Sequence, residues 1–240
     1  MERIAKEAEI DCPPAGRIKL KIVDRPNSRR FKMWADSPHS AVLSKPPRAP
    51  LKDALSFARS NAGWLAEALA NFSAPTPLKE YLEKFPRVCA EGDDLGVWLK
   101  PSAGAEFFVR TGTELGIVYK PSDADGSVER VFRDFARETV EREIKKISAE
   151  TGLGFSKISV RSQNSRWASR SASGTLSFNW RVMLLPRGLQ QYVFRHELAH
   201  VRFMDHSTAF WIFLNRLIPG AKRLDAELSK IGGEIFKVGR

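Results

Sequence analysis

Apolar residues alternate with polar ones at several places in the first half of the chain and recur at spacings of three and four through much of the second. In residues 17–23, RIKLKIV, the alternation puts Ile18, Leu20 and Ile22 on one face. The Pro-Asn-Ser segment at 26–28 then breaks the run before RRFKMWA, so the pattern predicts a hairpin there. After the Pro-rich stretch at 46–50, Leu51, Leu55, Ala58, Ala62, Leu65 and Leu69 follow helical spacing. They predict one amphipathic helix from Leu51 to Phe72, weakened by Gly63. Pro75, Pro77 and Pro86 interrupt the chain before VWLK, EFFVR and GIVYK, three short strand-like runs between Val97 and Lys120. The first half therefore reads as β-rich with one helix.

The turn-forming segment PSDADGS at 121–127 stops both periodicities and is the expected boundary, dividing the chain into 1–124 and 125–240. Beyond it Val128, Val131, Phe132, Phe135, Val140, Ile144 and Ile147 form an apolar stripe opposite a charged face, as a helix covering a core requires. KISVR at 157–161 and TLSFNWRVMLL at 175–185 read as strands joined by the polar loop NSRWASRSASG. Pro186 and Gly188 precede a last helical region that runs to Ile231, with breaks near Asp205 and Pro219. No internal repeat is visible. The expected fold class is α+β.

Composition narrows the class. Of 240 residues 42% are apolar and 28% charged, a globular balance, and no apolar run approaches the ~20 residues of a membrane span. Charges stand in the opening MERIAKEAEIDCPPAG where a signal peptide needs an apolar stretch, so the expected location is cytoplasmic. Only Cys12 and Cys89 are present, too few for a Cys-based zinc site or a multi-disulfide scaffold. The net charge of +11 raises the prospect of a nucleic-acid partner, although no recognition-helix or stacking motif accompanies it.

Histidine is the informative count: three of the four lie within eleven residues, in RHELAHVRFMDHSTAFW from Arg195 to Trp211. Residues four apart on a helix fall within about 40° of each other, so His196 and His200 can meet one ion. Glu197 is placed to reach a water on that ion rather than to ligate, which makes the pattern H-E-x-x-H. Chance supplies a His pair at this spacing with that Glu in about 0.004 of chains of this composition. A chain that leaves the helix and turns back can bring His206 up as a third ligand. Three protein ligands leave one position open, as in a catalytic zinc rather than a structural one.

SRWASRS at 165–171, SFNWRVMLLP at 177–186, YVFRHELAH at 192–200 and DHSTAFW at 205–211 occur in the order and spacing of a known family. On these motifs the chain resembles the YgjP-like metallopeptidases, relatives of the WLM and SprT-type zincins. The likeness is strong over about 125–225. It implies a zincin-like C-terminal fold, one zinc held by His196, His200 and His206, and Glu197 as the catalytic carboxylate. Three positions depart from the family: Ala168 stands where a glycine is usual, Arg170 where a cysteine is usual, and Gln191 where an acidic residue is common. Phe203 occupies the glycine position of the longer metzincin motif, which separates the chain from that group. The implied reaction is peptide-bond hydrolysis on a peptide or protein substrate, with Glu197 as general base. Arg166, Tyr192 and Arg202 are the candidate oxyanion donors, and TLSFNW at 175–180 is a candidate edge strand for substrate. The expected substrate-binding residues are therefore Arg166, Leu176, Phe178, Asn179 and Tyr192. Two rival readings are a basic nucleic-acid-associated protein or DNA-recruited protease, and a non-catalytic metal-binding scaffold.

Overall fold

The computed structural model describes residues 3–26, 28–72 and 74–239. Asn27, in the turn expected at 26–28, lies outside them. The chain divides into two compact units, residues 1–74 and 75–240.

In the first unit, β1 (Arg3–Cys12) and β2 (Gly16–Asp24) form an antiparallel hairpin with Ile10 opposite Ile18. Gly16 closes its turn at φ +78°, in the left-handed region that favours glycine. β4 (Ser40–Lys45) runs parallel to β2, and β3 (Lys32–Ser37) pairs only with β4, giving the order β1-β2-β4-β3. The alternating side chains Ile18, Leu20 and Ile22 do face the core. The hairpin partner predicted for them does not hold: β4 lies between β2 and the RRFKMWA strand, and β1 takes the other side. Helical spacing from Leu51 to Leu69 is realised as two helices, α1 (Leu51–Ser60) and α2 (Ala62–Ala70). The break comes at Asn61 rather than Gly63, because the Asn61 side-chain amide donates to the Phe57 carbonyl at 2.8 Å and competes with the helical ladder.

The second unit begins with α3 (Leu78–Lys84) and the strands β5 (Arg87–Ala90), β6 (Asp93–Pro101), β7 (Phe107–Thr111) and β8 (Glu114–Tyr119). Their order, β5-β6-β8-β7 with a parallel central pair, repeats the arrangement of the first unit without a repeat visible in the sequence. The segment 121–127, expected to be a domain boundary, lies inside this unit. A single 3-10 turn at Pro121–Asp123 leads directly into α4 (Ala124–Thr151), and Leu95, Leu115 and Ile117 share one core with Phe132 and Phe135 of that helix. Turn chemistry at 121–127 marks a change of direction, not a loss of packing.

Every member of the stripe from Val128 to Ile147 is buried on α4. β9 (Lys157–Arg161), β10 (Ala168–Arg170) and β11 (Thr175–Asn179) form a three-stranded sheet in the order β10-β11-β9. The strand predicted at 175–185 ends early, since Asn179 Oδ1 accepts the Arg181 N–H at 3.1 Å and starts a 3-10 turn over Trp180–Leu184. The last helical region divides as expected into α5 (Arg187–Ala199), α6 (Thr208–Leu217) and α7 (Ala221–Ile235). The fold is α+β. Among the described residues no helix is long and apolar enough to cross a membrane.

Candidate metal centre

α5 presents two faces. Leu189, Val193, Phe194 and Leu198 enter the core, while Tyr192, His196 and His200 follow one another at intervals of four. The helix ends at His200, and the chain turns back through 201–207 to Ser207, whose hydroxyl accepts the Phe210 N–H at the start of α6. That reversal brings His206 to the other two histidines. One ring nitrogen from each of His196, His200 and His206 lies within 4.8 Å of the others, and the Nε2 atoms of His196 and His206 are 3.0 Å apart. Phe210 is fully buried beneath them, its ring centroid 5.1, 4.7 and 4.9 Å from those of His196, His200 and His206.

The outer nitrogens fix the tautomers. Tyr192 donates its hydroxyl proton to Asp225 Oδ1 at 2.8 Å, so toward His196 Nδ1, 3.0 Å away, the same oxygen can only accept. His196 therefore carries its proton on Nδ1 and leaves Nε2 as a lone pair. The Phe203 carbonyl, 2.8 Å from His200 Nδ1, imposes the same state on His200. Burial, followed by the neighbouring His200 and His206, lowers the His196 pKa to about 3, and burial lowers that of His200. Both rings are thus neutral at neutral pH, the form that binds a metal. A tetrahedral zinc with nitrogens at ~2.0–2.1 Å holds them about 3.3–3.4 Å apart, close to the spacing of His196 and His206. The donor set fits the ion.

Glu197 is buried, and desolvation raises its pKa to about 7. It lines a cleft of about 210 Å³ together with His196, Arg166, Trp167, Ala168 and Asp225.

The other expected site residues are placed differently. β11 is the central strand of its sheet, not an edge. Leu176 and Phe178 are fully buried, Phe178 packing edge-on against Phe194 at 5.5 Å, so neither can touch a substrate. Asn179 is buried too. Its amide donates to the carbonyls of Gln163 and Arg166 at 2.7 and 3.1 Å, which makes it the anchor of the loop carrying Arg166. Tyr192 is spent on His196 and Asp225 rather than on substrate. Arg202 stacks over Phe213 at 5.7 Å and lines neither this cleft nor the one at His206. Of the substrate-binding set, Arg166 and Tyr192 line the cleft, the Tyr192 hydroxyl being already bonded to His196 and Asp225. The free edge beside α5 belongs to β10, where Ala168 pairs with Phe178. Ala168 needs no glycine: Glu91 is the one non-glycine residue with positive φ among the described residues. Gln191 donates to Glu143 Oε2 at 3.2 Å and accepts from Arg195. Sequence reasoning missed Asp225 and the Phe203 carbonyl, which no local motif marks.

A helix that offers two imidazoles and an adjacent carboxylate, closed by a third imidazole from the following turn, is the arrangement of a metallopeptidase. The chain belongs to the YgjP-like family, whose metallopeptidase-domain model matches residues 29–231. Among solved structures it is similar to the metallopeptidase zymogen of Pyrococcus abyssi abylysin, at 26% identity over 39% of this chain and 95% of that one, with a TM-score of 0.35. A comparison with curated proteins finds no match.

Proposed function

We propose that the chain is a zinc-dependent metallopeptidase in which His196, His200 and His206 hold one zinc ion and Glu197 is the general base. The observation that carries this reading is the convergence of the three imidazoles, two of them tied by Tyr192 and Phe203 into the tautomer that offers Nε2. Zinc, when bound, supplies a Lewis acid for the substrate carbonyl and lowers the pKa of a water from ~15.7 toward ~7. Glu197 takes the proton of the attacking water and passes it to the leaving amine. Its burial beside His196 keeps bulk water from competing for that proton. Arg166, on the wall of the same cleft, supplies positive charge where the carbonyl oxygen becomes anionic. An extended peptide pairs with the open edge of β10 by main-chain hydrogen bonds. Both cysteines are buried and unpaired, which supports a reducing, cytoplasmic setting.

Elemental analysis of the purified chain, prepared without chelator and supplied with zinc, tests the reading. It should give close to one zinc per chain, and His206→Ala should retain far less. A wild-type protein that holds no zinc overturns the proposal.

A further inference from the structure

His206 also lines a second cleft, of about 480 Å³, which runs between α6 and the start of α7 and shares no lining residue with the cleft of Glu197. The histidine cluster thus meets one cleft at His196 and the other at His206. Trp211 and the exposed Ile212 form an apolar wall in the second, and Lys222 and Arg223 are its charged residues. No carboxylate lines it. The Lys222 ammonium sits over the Trp211 ring at 5.8 Å, and among the described residues neither Lys222 nor Arg223 makes an ion pair. Elsewhere on the helices paired cations occur, as Arg130 with Glu106 and Asp123. The positive end of α7 adds to the same field. Its first turn has no acidic residue, and the leading N–H groups of Gly220 and Ala221 are capped by the neutral Asn215 side chain at 2.9 and 3.3 Å.

We infer that this cleft takes a carboxylate of the substrate, close to the bond cleaved at the histidine cluster. The inference rests on the proposed peptidase reading and names its substrate class. A peptide offers that carboxylate in two ways, as an Asp or Glu side chain or as a free C-terminus. Either places a planar anion between two cations and a helix N-terminus, with its aliphatic part against Trp211 and Ile212. The volume is enough for a residue or two of an extended chain.

The test uses acetylated tetra-alanine peptides. One set is amidated with Glu at each position in turn, a second carries Gln instead, a third carries Lys, and a fourth has only a free C-terminal carboxylate. Calorimetry on the Glu197→Gln chain reads binding with the peptides intact, and cleavage rates are read on the wild type. A Glu peptide or the free acid should bind about tenfold tighter than its uncharged counterpart, and the arm that gains identifies the source of the carboxylate. Lys222→Gln with Arg223→Gln should erase the difference. Lys222→Glu with Arg223→Glu should turn the preference toward the Lys peptides; both residues are exposed, so the fold has no reason to change. Equal binding of charged and uncharged peptides, a preference that survives in both double variants, or no binding of any peptide overturns the inference. If carboxylate peptides bind as stated but nothing is cleaved, the peptidase reading fails and the cleft assignment stands. If uncharged peptides are cleaved as fast as acidic ones, the reverse holds.

Discussion

Tyr192 shows how little of a metal centre need be metal ligand. Its hydroxyl is a donor to Asp225 and an acceptor from His196, so a single side chain converts a carboxylate on α7 into a fixed tautomer on α5. Tyr192→Phe and Asp225→Asn should each weaken zinc affinity by about 10–100-fold, measured by competition with a chromogenic chelator, with the fold retained. Unchanged affinity in both would mean that the ring orientation is set elsewhere. Of the proposed ligands, His196 and His200 were legible as a pair because four-residue spacing on a helix is a local fact. Asp225 was not, since it lies 33 residues from Tyr192 and contacts it only through the packing of α7 on α5. Phe210 reads in the sequence as one apolar residue among several; its place under three imidazoles depends on the turn at 201–207.

Among the elements, the β10-β11-β9 sheet carries the largest correction. Alternation in TLSFN correctly gave a strand, but periodicity says nothing about which neighbours a strand has. The short β10 was hidden in a polar loop because three residues are too few to show a period. Asn179 stands at the joint, holding the 163–166 loop to the end of β11 and opening the following turn. Asn179→Ala removes these bonds, each contributing about 0.5–1.5 kcal/mol, a loss of about 1–3 kcal/mol in all, read as a fall in Tm of about 2–10 °C. No change in Tm would show that the loop is held by other contacts. A second joint ties the residue before β7 to α4: Glu106 accepts from Ser127 and from Arg130, and these hydrogen bonds lower its pKa to about 2. The folded value lies below the unfolded one. The contribution to stability is therefore complete above about pH 4.5 and is lost as pH falls toward about 2. Glu106→Gln should flatten that part of the stability profile in acid unfolding curves; an unaltered profile would assign the acid loss to other carboxylates.

At the scale of the molecule, the two units have separate cores. The three histidines, Glu197, Tyr192, Asp225 and Phe210 all belong to the second unit. A chain of residues 75–240 should therefore fold and bind zinc in the same ratio as the full chain, as followed by circular dichroism and elemental analysis. An unfolded or zinc-free fragment would show that the first unit is needed to build the centre. The turn segment at 121–127 misled because residue type reports local direction, whereas the division of the chain is set by contacts between residues far apart in sequence. The α+β class and the order of the last three helices were legible for the opposite reason. Their signals, period and helix breakers, are local.

The central claim, that three imidazoles hold the ion while Glu197 moves the proton, is tested most directly by Glu197→Gln. The substitution keeps the shape of the side chain and removes its basicity. Zinc content should stay near one per chain, while hydrolysis of an unfolded protein or a mixed peptide library should fall by at least about 10²-fold. Wild type and variant cleaving at the same rate, or the variant losing its zinc, would contradict the account.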